Sequence, residues 1–214
     1  MDNNTQLAQF RFNHAAATWD ENPGRLLAAN NTVSAILTQV PVRSDMTVID
    51  YGCGTGLVTL GLQPYVERII GVDISPAMLT ELENKVRALA LSNVETCCLD
   101  LRSQPSADLH ADLVVSAMAL HHIADIPSAL RALTGLLSPG GYVALADLDV
   151  EDGSFHGDKT GVFHYGIDRT WLIAQLEALG IQEIQSTTAH VVERPAADGN
   201  HRYPVFLISG RLTG

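Results

Sequence analysis

The chain has 214 residues, 46% of them hydrophobic, and a formal net charge of −11 with a pI near 5.0. This length supports one well-buried α/β domain and is short for two. The 13 Lys and Arg residues are scattered, so nucleic acid is disfavoured as a partner, because a net negative surface repels phosphates.

The sequence carries no sign of export or membrane insertion. Its first residues contain no basic region followed by an apolar core, and no apolar run approaches the roughly 18 residues that a membrane helix needs. Cys53, Cys97 and Cys98 show neither the count nor the spacing of a disulfide framework or a zinc site. We therefore expect a cytoplasmic protein in a reducing compartment, without a metal site.

The N-terminal segment, residues 1–23, is polar but interspersed with the ring side chains Phe10, Phe12, His14 and Trp19. It is compatible with an arm that folds over a ligand site and equally with a surface-packed extension. Gly24 to Val40 carries apolar residues at helical spacing, which predicts a helix that ends before Pro41.

A glycine-rich turn follows the first predicted strand, which ends near Ile49. Three glycines stand at alternate positions, Gly52, Gly54 and Gly56, and an apolar helix begins at Leu57. Glycines in this arrangement allow a ligand to lie against the main chain, where a Cβ atom would collide with it. The dinucleotide fingerprint Gly-x-Gly-x-x-Gly is not met, because Leu57 occupies the position of its third glycine.

The next two predicted strands each end at a carboxylate: Arg68 to Asp73, and Asn93 to Leu99 followed by Asp100. In a doubly wound sheet the carboxyl ends of neighbouring strands face the ligand crevice, so Asp73 can accept both hydroxyls of a ribose. Ser75 and Pro76 supply the cap and first turn of the intervening helix, which leaves Asp73 available for this role. Asp100 can accept the exocyclic amine of an adenine.

The second half of the chain continues the alternation of strands and helices. Ala111 to Ser116 predicts a strand covered on both faces, with His121 and His122 just beyond it. A helix over 127–137, a tight turn over 138–141 and a strand over 142–148 follow. Residues 149–167 are acidic and contain glycines and histidines, which predicts a lid-like insertion.

The C-terminal part begins with Asp168, which we expect to cap a helix whose buried stripe includes Trp171. Residues 181–192 and 203–212 predict a β-hairpin. The whole order of elements predicts a doubly wound parallel sheet with right-handed crossovers.

Four motifs, in order and at compatible spacing, resemble class I S-adenosylmethionine-dependent methyltransferases that act mostly on small molecules, of the ubiquinone/menaquinone-biosynthesis-like type. They are Ile49-Asp50-Tyr51-Gly52-Cys53-Gly54-Thr55-Gly56, then Gly71-Val72-Asp73-Ile74-Ser75, then Asp112-Leu113-Val114-Val115 with Leu120-His121-His122-Ile123, and Leu137-Ser138-Pro139-Gly140-Gly141. The resemblance covers roughly residues 44–150. It implies a single-domain, Rossmann-like, doubly wound seven-stranded sheet whose last strand is antiparallel and inserted between strands five and six. Residues 1–40 would form an N-terminal arm and helix packed on the cofactor side, and residues 41–214 the methyltransferase domain.

The resemblance also implies the cofactor, S-adenosyl-L-methionine, with S-adenosyl-L-homocysteine as product, and its contacts. Asp50 and the loop Gly52, Cys53, Gly54 and Thr55 would hold the methionine end, and Asp73 the ribose. Ile74 and Met78 would flank the adenine, and Asp100 and Leu101 would meet its edge. Ser116 and Ala117 would line the methionine side, and Trp19 lies where related N-terminal arms reach the cofactor.

The methyl acceptor is expected to be a small molecule, and the protein a monomer or homodimer. Methyltransferases that modify amines of DNA or glutamine amides carry an Asn/Asp-Pro-Pro-aromatic motif where this chain has Ser116-Ala117-Met118-Ala119, so those substrates are disfavoured. A nicotinamide-dependent oxidoreductase and a non-catalytic cofactor-binding protein remain as alternatives.

Histidines are the candidate catalytic residues, because attack by a hydroxyl or ammonium group requires loss of a proton that a histidine can accept. His121 and His164 are the two candidates. Since adjacent residues on one element point in different directions, we expect at most one of His121 and His122 to face the site. His156, Asp158 and His164 are spaced too irregularly to predict a metal site.

Overall fold

The structure, a computed structural model, describes residues 3–100, 109–196 and 199–213. Its helices are α1 (Asn3–Ala15), α2 (Pro23–Gln39), α3 (Leu57–Leu62), α4 (Pro76–Ala88), α5 (Ile126–Thr134) and α6 (Arg169–Ala178). Its strands are β1 (Thr47–Tyr51), β2 (Arg68–Asp73), β3 (Val94–Cys98), β4 (Ala111–Ala117), β5 (Leu137–Leu148), β6 (Ile181–Ala196) and β7 (Gly199–Leu212). Short 3₁₀ turns cover Ala16–Glu21, Gln63–Tyr65 and Leu120–His122.

The strands form one seven-stranded sheet in the order β3-β2-β1-β4-β5-β7-β6. Strands β1 to β5 pair in parallel, and β7 runs antiparallel between β5 and β6. The Rossmann-like, doubly wound fold predicted from the sequence is therefore confirmed, including the inserted antiparallel last strand. Because the order reverses between β1 and β4, their carboxyl ends open the crevice where such sheets bind ligands.

Helices cover both faces of this sheet. Apolar side chains of α5 and α6 pack on one face, and those of α2, α3 and α4 pack on the other. The central strand β4 is buried along most of its length, which explains its nearly continuous apolar sequence. Within the described residues, no helix combines the length and the apolar character that crossing a membrane requires.

Two predicted helix caps are confirmed. The Ser75 hydroxyl accepts the Met78 N–H at the start of α4, and Asp168 accepts the Trp171 N–H, 2.7 Å away, at the start of α6. The expected burial of Trp171 is wrong, since 37% of this side chain is exposed and the buried residues of α6 are Leu172 and Leu176.

The predicted turn at 138–141 is also wrong as a strand boundary, because β5 already begins at Leu137. Leu137 pairs with Ala111 and Tyr142 pairs with Leu113, so the stretch between them bulges while pairing with β4 resumes beyond it. The N-terminal segment, for which the sequence indicated no regular structure, forms α1 and a 3₁₀ turn.

Candidate functional site

A cavity of about 570 Å³ lies at the carboxyl ends of β1, β2 and β4, within the size range of small-molecule sites. The glycine loop after β1, the end of β2 and the start of α4 form one wall. Side chains from α1, the 3₁₀ turn after it and α2 form a second wall, and residues around 155–157 and the β6–β7 pair contribute a third.

The three alternate glycines of the loop have positive φ angles, and they serve different purposes. A Cβ atom on Gly52 would lie 2.4 Å from the Ala119 Cβ, and one on Gly56 would lie 2.3 Å from a Leu82 methyl carbon. A Cβ atom on Gly54 would approach only the Met78 sulfur, at 4.0 Å. Gly52 and Gly56 are therefore required by packing within the protein, whereas Gly54 leaves main chain open to the cavity.

Asp73 faces the cavity at the end of β2 and holds the glycine loop. One carboxylate oxygen accepts the Gly54 N–H at 2.9 Å and the other accepts the Ser75 N–H at 2.8 Å. Burial raises the pKa of Asp73, and these backbone donors oppose that rise. Each carboxylate oxygen can accept two hydrogen bonds, so Asp73 keeps acceptor capacity for a ligand.

Asp50 lines the cavity one strand away, although only 1% of its surface is exposed. The Thr59 hydroxyl donates to it at 2.6 Å. Burial raises the pKa of Asp50 to about 7, and the hydrogen bond from Thr59 opposes this. A buried carboxylate that has no cationic side-chain partner in the described part of the chain is suited to receive a ligand cation.

The other predicted cofactor residues divide into two groups. Those in the cavity wall are Trp19, Gly52, Cys53, Gly54, Thr55, Ile74, Met78 and Ala117. Asp100 and Ser116 are buried but are not among the cavity-lining residues, and the Ser116 hydroxyl bonds to none of the described residues. Leu101 lies outside the described residues.

His121 is held in the 3₁₀ turn after β4 by Asp147, a residue that the sequence analysis missed. The His121 Nδ1 and an Asp147 oxygen are 2.6 Å apart, the His121 backbone N–H donates to the other oxygen, and both side chains are buried. Burial opposes ionisation of Asp147, but the electrostatic interaction with His121 and the hydrogen bonds keep the Asp147 pKa below its usual value. With Nδ1–H donated to Asp147, the His121 Nε2 offers a lone pair, and this buried atom has no partner among the described residues.

His122 and His156 join His121 in the cavity wall. One ring nitrogen from each of the three histidines lies within 4.8 Å of those of the other two. The His122 Nδ1 bonds to the Gly161 carbonyl at 2.7 Å, and the buried His156 Nε2 has no partner within the described part of the chain. Burial is the largest cause that lowers the pKa of His122 to about 3 and that of His156 to about 4, so both rings are neutral near pH 7.

The expectation that only one of the adjacent histidines faces the site is wrong. His121 and His122 lie in a 3₁₀ turn rather than in a strand or α-helix, and their ring centroids are 4.1 Å apart. Both rings therefore reach the same cavity.

His164, the second predicted catalytic residue, is not brought to the cavity wall. Its Nε2 donates to the Ile123 carbonyl at 2.9 Å, and its backbone N–H donates to the His121 carbonyl at 3.2 Å. Asp158, considered with it as a metal ligand, pairs with Arg11 on the surface. Neither residue lines the cavity with His156.

Three arginines bring positive charge to a cavity in an otherwise acidic protein: Arg11, Arg25 and Arg194. The Arg25 guanidinium lies 3.7 Å from the centre of the Trp19 ring, and the Arg194 guanidinium lies 4.2 Å from that of Phe155. Burial lowers the pKa of Arg25, and the charges of Arg11 and Arg194 lower it further.

Comparison with known proteins gives a consistent picture. Residues 49–145 match the protein-family model described as Methyltransferase domain. The uncharacterized methyltransferase C1347.09 of Schizosaccharomyces pombe is 33% identical over 138 residues, which are 58% of this chain and 49% of that protein. The chain spans about half the length of the curated relatives it matches first.

Two solved structures share the fold along most of the chain. YcgJ from Bacillus subtilis superposes with a TM-score of 0.72 at 17% identity, over 86% of this chain and 98% of that one. The N-methyltransferase NodS from Bradyrhizobium japonicum WM9, in complex with S-adenosyl-L-homocysteine, superposes with a TM-score of 0.68 at 19% identity over 100% of both chains.

These matches do not test the ubiquinone/menaquinone-biosynthesis-like subtype, which stays a prediction. The observed strand order is the one that the resemblance implies, and residues 49–145 match the methyltransferase-domain model. Over residues 49–145 the chain is thus similar to methyltransferase domains, and along most of its length it shares the fold of solved methyltransferase structures.

Proposed function

We propose that this protein transfers a methyl group from S-adenosyl-L-methionine to an anionic small molecule by in-line displacement. The observation that carries this proposal is the division of a single cavity into two chemically different halves. The glycine loop, Asp50 and Asp73 form one half, and the histidine cluster with its neighbouring arginines forms the other.

The first half fits the cofactor residue by residue. The carboxylate of Asp50 would receive the ammonium of the methionine part, and the remaining acceptor capacity of Asp73 would receive the ribose hydroxyls. The open main chain at Gly54 leaves room between them, and Ile74 and Met78 would flank the adenine. Bound in this way, the cofactor supplies a methyl group on a positively charged sulfur.

The second half fits an acceptor that carries negative charge. Arg11 and Arg194 both act electrostatically on His156, so their charge reaches the histidine cluster. We assign residues 149–167 the role of a lid over this half, because Phe155 and His156 belong to the cavity wall. Holding the acceptor in line with the methyl carbon supplies much of the rate enhancement, since effective molarities can contribute about 7–11 kcal/mol.

His121 is the residue proposed to act on the acceptor. Asp147 fixes its ring and tautomer, and the free Nε2 lone pair can accept the proton of an attacking hydroxyl. His164 is not retained in this role, because its Nε2 already donates to a backbone carbonyl. Asp100 is not assigned to the adenine, because it is not part of the cavity wall.

The proposal is tested by calorimetric titration with S-adenosyl-L-homocysteine and with NAD, followed by a screen of small carboxylates, phenols and thiols for release of S-adenosyl-L-homocysteine. Binding of the nucleoside thioether but not NAD, and turnover with an anionic acceptor, would support it. Binding of NAD alone would favour the oxidoreductase, and cofactor binding with no turnover across the screen would favour a non-catalytic binding protein. A cytoplasmic location and a monomeric or homodimeric state belong to the same proposal.

A further inference from the structure

We propose that His121, His122 and His156 form a divalent transition-metal site, suited to Zn²⁺, whose open position holds the reacting atom of the acceptor. The metal site itself stands on the geometry of the cluster. Its use in methyl transfer rests on the proposed transfer to an anionic acceptor and replaces the proton-accepting role of His121.

Two of the three clustered histidines each have a buried ring nitrogen without a partner in the described part of the chain. The Nε2 atoms of His121 and His156 are buried and bond to none of the described residues, and one nitrogen of each of the three rings lies within 4.8 Å of the others. Burying a polar atom without a partner is costly, and native proteins rarely leave such atoms unsatisfied. Two of them in one cluster indicate a shared partner that accepts lone pairs.

Outer partners orient two of the three rings. The His121 Nδ1 bonds to Asp147 and the His122 Nδ1 bonds to the Gly161 carbonyl. Metal-binding histidines almost always donate their second nitrogen to a carboxylate or a backbone carbonyl, which fixes the tautomer and directs the other nitrogen at the metal. Both kinds of partner are present here.

The donor set selects the class of metal. Imidazole nitrogen favours Zn²⁺, Co²⁺, Ni²⁺ and Cu²⁺, whereas Mg²⁺ and Ca²⁺ require oxygen ligands. Tetrahedral zinc with bonds of about 2.0–2.1 Å places its ligand nitrogens roughly 3.3 Å apart, so the cluster must contract on binding. His156 lies between β5 and α6, outside regular structure, and can supply this movement. Three protein ligands leave the fourth position for a substrate atom.

Charge around the cluster favours an anionic fourth ligand. Asp147 stabilises a cation at this place, whereas Arg11 and Arg194 oppose one. A negatively charged acceptor would offset the positive charge of the arginines and would also bind the metal. Metal and acceptor should therefore each strengthen the binding of the other.

Metal coordination also gives the acceptor proton a different destination. A hydroxyl or thiol bound to the metal loses its proton to solvent, because coordination lowers its pKa. The resulting oxygen or sulfur anion then forms a bond to the methyl carbon while the carbon–sulfur bond of the cofactor breaks, and its electron pair leaves with a neutral thioether. His121 cannot accept the proton in this state, since its lone pair is bound to the metal, so the two roles exclude each other.

The test is metal binding by the full chain after removal of metal with a chelator. We expect one equivalent of Zn²⁺ by calorimetry, and Co²⁺ as an optical probe of the same site. His156→Gln should weaken Zn²⁺ binding by more than about 100-fold, since loss of an outer partner alone typically costs 10–100-fold. His190→Gln is the matched control, because His190 bonds to Asn31 away from the cavity and should bind Zn²⁺ as the wild type does.

Binding of S-adenosyl-L-homocysteine is measured on the same samples, with thermal unfolding to verify that each variant folds. Absence of stoichiometric Zn²⁺ and Co²⁺ binding, or equal affinity in His156→Gln and His190→Gln, would overturn the metal site even if the nucleoside binds. Metal binding without nucleoside binding would instead overturn the proposed function and leave the site standing. Once an acceptor is known, loss of turnover on chelation and its recovery with Zn²⁺ support the metal-bound acceptor, and turnover indifferent to chelation refutes it.

Discussion

Replacement of Asp73 by Asn is expected to weaken the binding of S-adenosyl-L-homocysteine. The Asn side chain keeps the size of Asp but loses the charge and one of its two acceptor oxygens. Hydrogen bonds to a charged group contribute about 1.5–3 kcal/mol, so the Kd should rise by roughly 10-fold to 150-fold.

The same substitution also affects folding, because Asp73 accepts the N–H groups of Gly54 and Ser75. An amide can accept from only one of them and turns its own N–H towards the other, which should cost about 1–2 kcal/mol of unfolding free energy. Asp112→Asn provides a matched control. Asp112 accepts the Thr47 N–H at 2.8 Å, a bond that the amide oxygen of Asn can keep, and it does not line the cavity, so its replacement should leave the Kd unchanged.

Calorimetric titration and urea unfolding of the wild type and both variants separate the two effects. The ribose assignment requires an affinity loss in Asp73→Asn alone. An unchanged Kd in that variant, or the same affinity loss in Asp112→Asn, would refute it.

Four further substitutions probe the two halves of the cavity. Burial raises the pKa of Asp50 to about 7, so about half of the Asp50 side chains carry a proton at pH 7. Because the cofactor ammonium binds the ionised carboxylate, its binding should release about half a proton per site. Calorimetry in buffers of different ionisation enthalpy measures this release, which Asp50→Asn should abolish. In the unfolded chain the pKa of Asp50 is about 3.9. The unfolding free energy of the unliganded wild type, measured relative to that of Asp50→Asn, should therefore fall as the pH rises from about 4 to about 7. A rise over this range would contradict the raised pKa of Asp50. Gly54→Ala should weaken cofactor binding more than tenfold, and it should lower the unfolding free energy by only the ~1–2 kcal/mol of a left-handed Ala. Gly52→Ala should lower the unfolding free energy more, because its Cβ atom would clash with Ala119. Calorimetry and urea unfolding measure both effects, and a larger stability loss in Gly54→Ala than in Gly52→Ala would contradict this reasoning. Arg194→Met should raise the acceptor KM in steady-state kinetics and leave the cofactor Kd unchanged, and an unaltered KM would argue against an anionic acceptor.

The fold and the cofactor half of the cavity could be predicted from the sequence for a simple reason. Asp50 and Asp73 follow short apolar runs, and the carboxyl ends of neighbouring parallel strands meet at one edge, so local pattern fixes which residues come together. The antiparallel insertion of β7 was different, because strand pairing between β5 and β7 is not visible in local periodicity and came from the family resemblance.

The histidine cluster could not be predicted from the sequence in the same way. His156 lies in a segment without helix or strand, so no periodicity relates it to His121. The sequence did contain one unused signal in Asp147, a carboxylate within the otherwise apolar run of β5, since a fully buried acid requires a partner. The error about His121 and His122 arose because the direction of side chains in a short 3₁₀ turn is set by tertiary packing rather than by sequence spacing.

The backbone carbonyl of His121 accepts the N–H groups of both Phe163 and His164, at 3.0 and 3.2 Å. The stretch between β5 and α6 thus stabilises the 3₁₀ turn that carries His121, and the same stretch carries His156. Loop grafting between homologues would consequently disturb the reactive centre together with the choice of substrate. Directed evolution of acceptor scope should proceed by point changes, and Gly157 is a suitable first position, because a Cβ atom there would meet nothing within 4 Å.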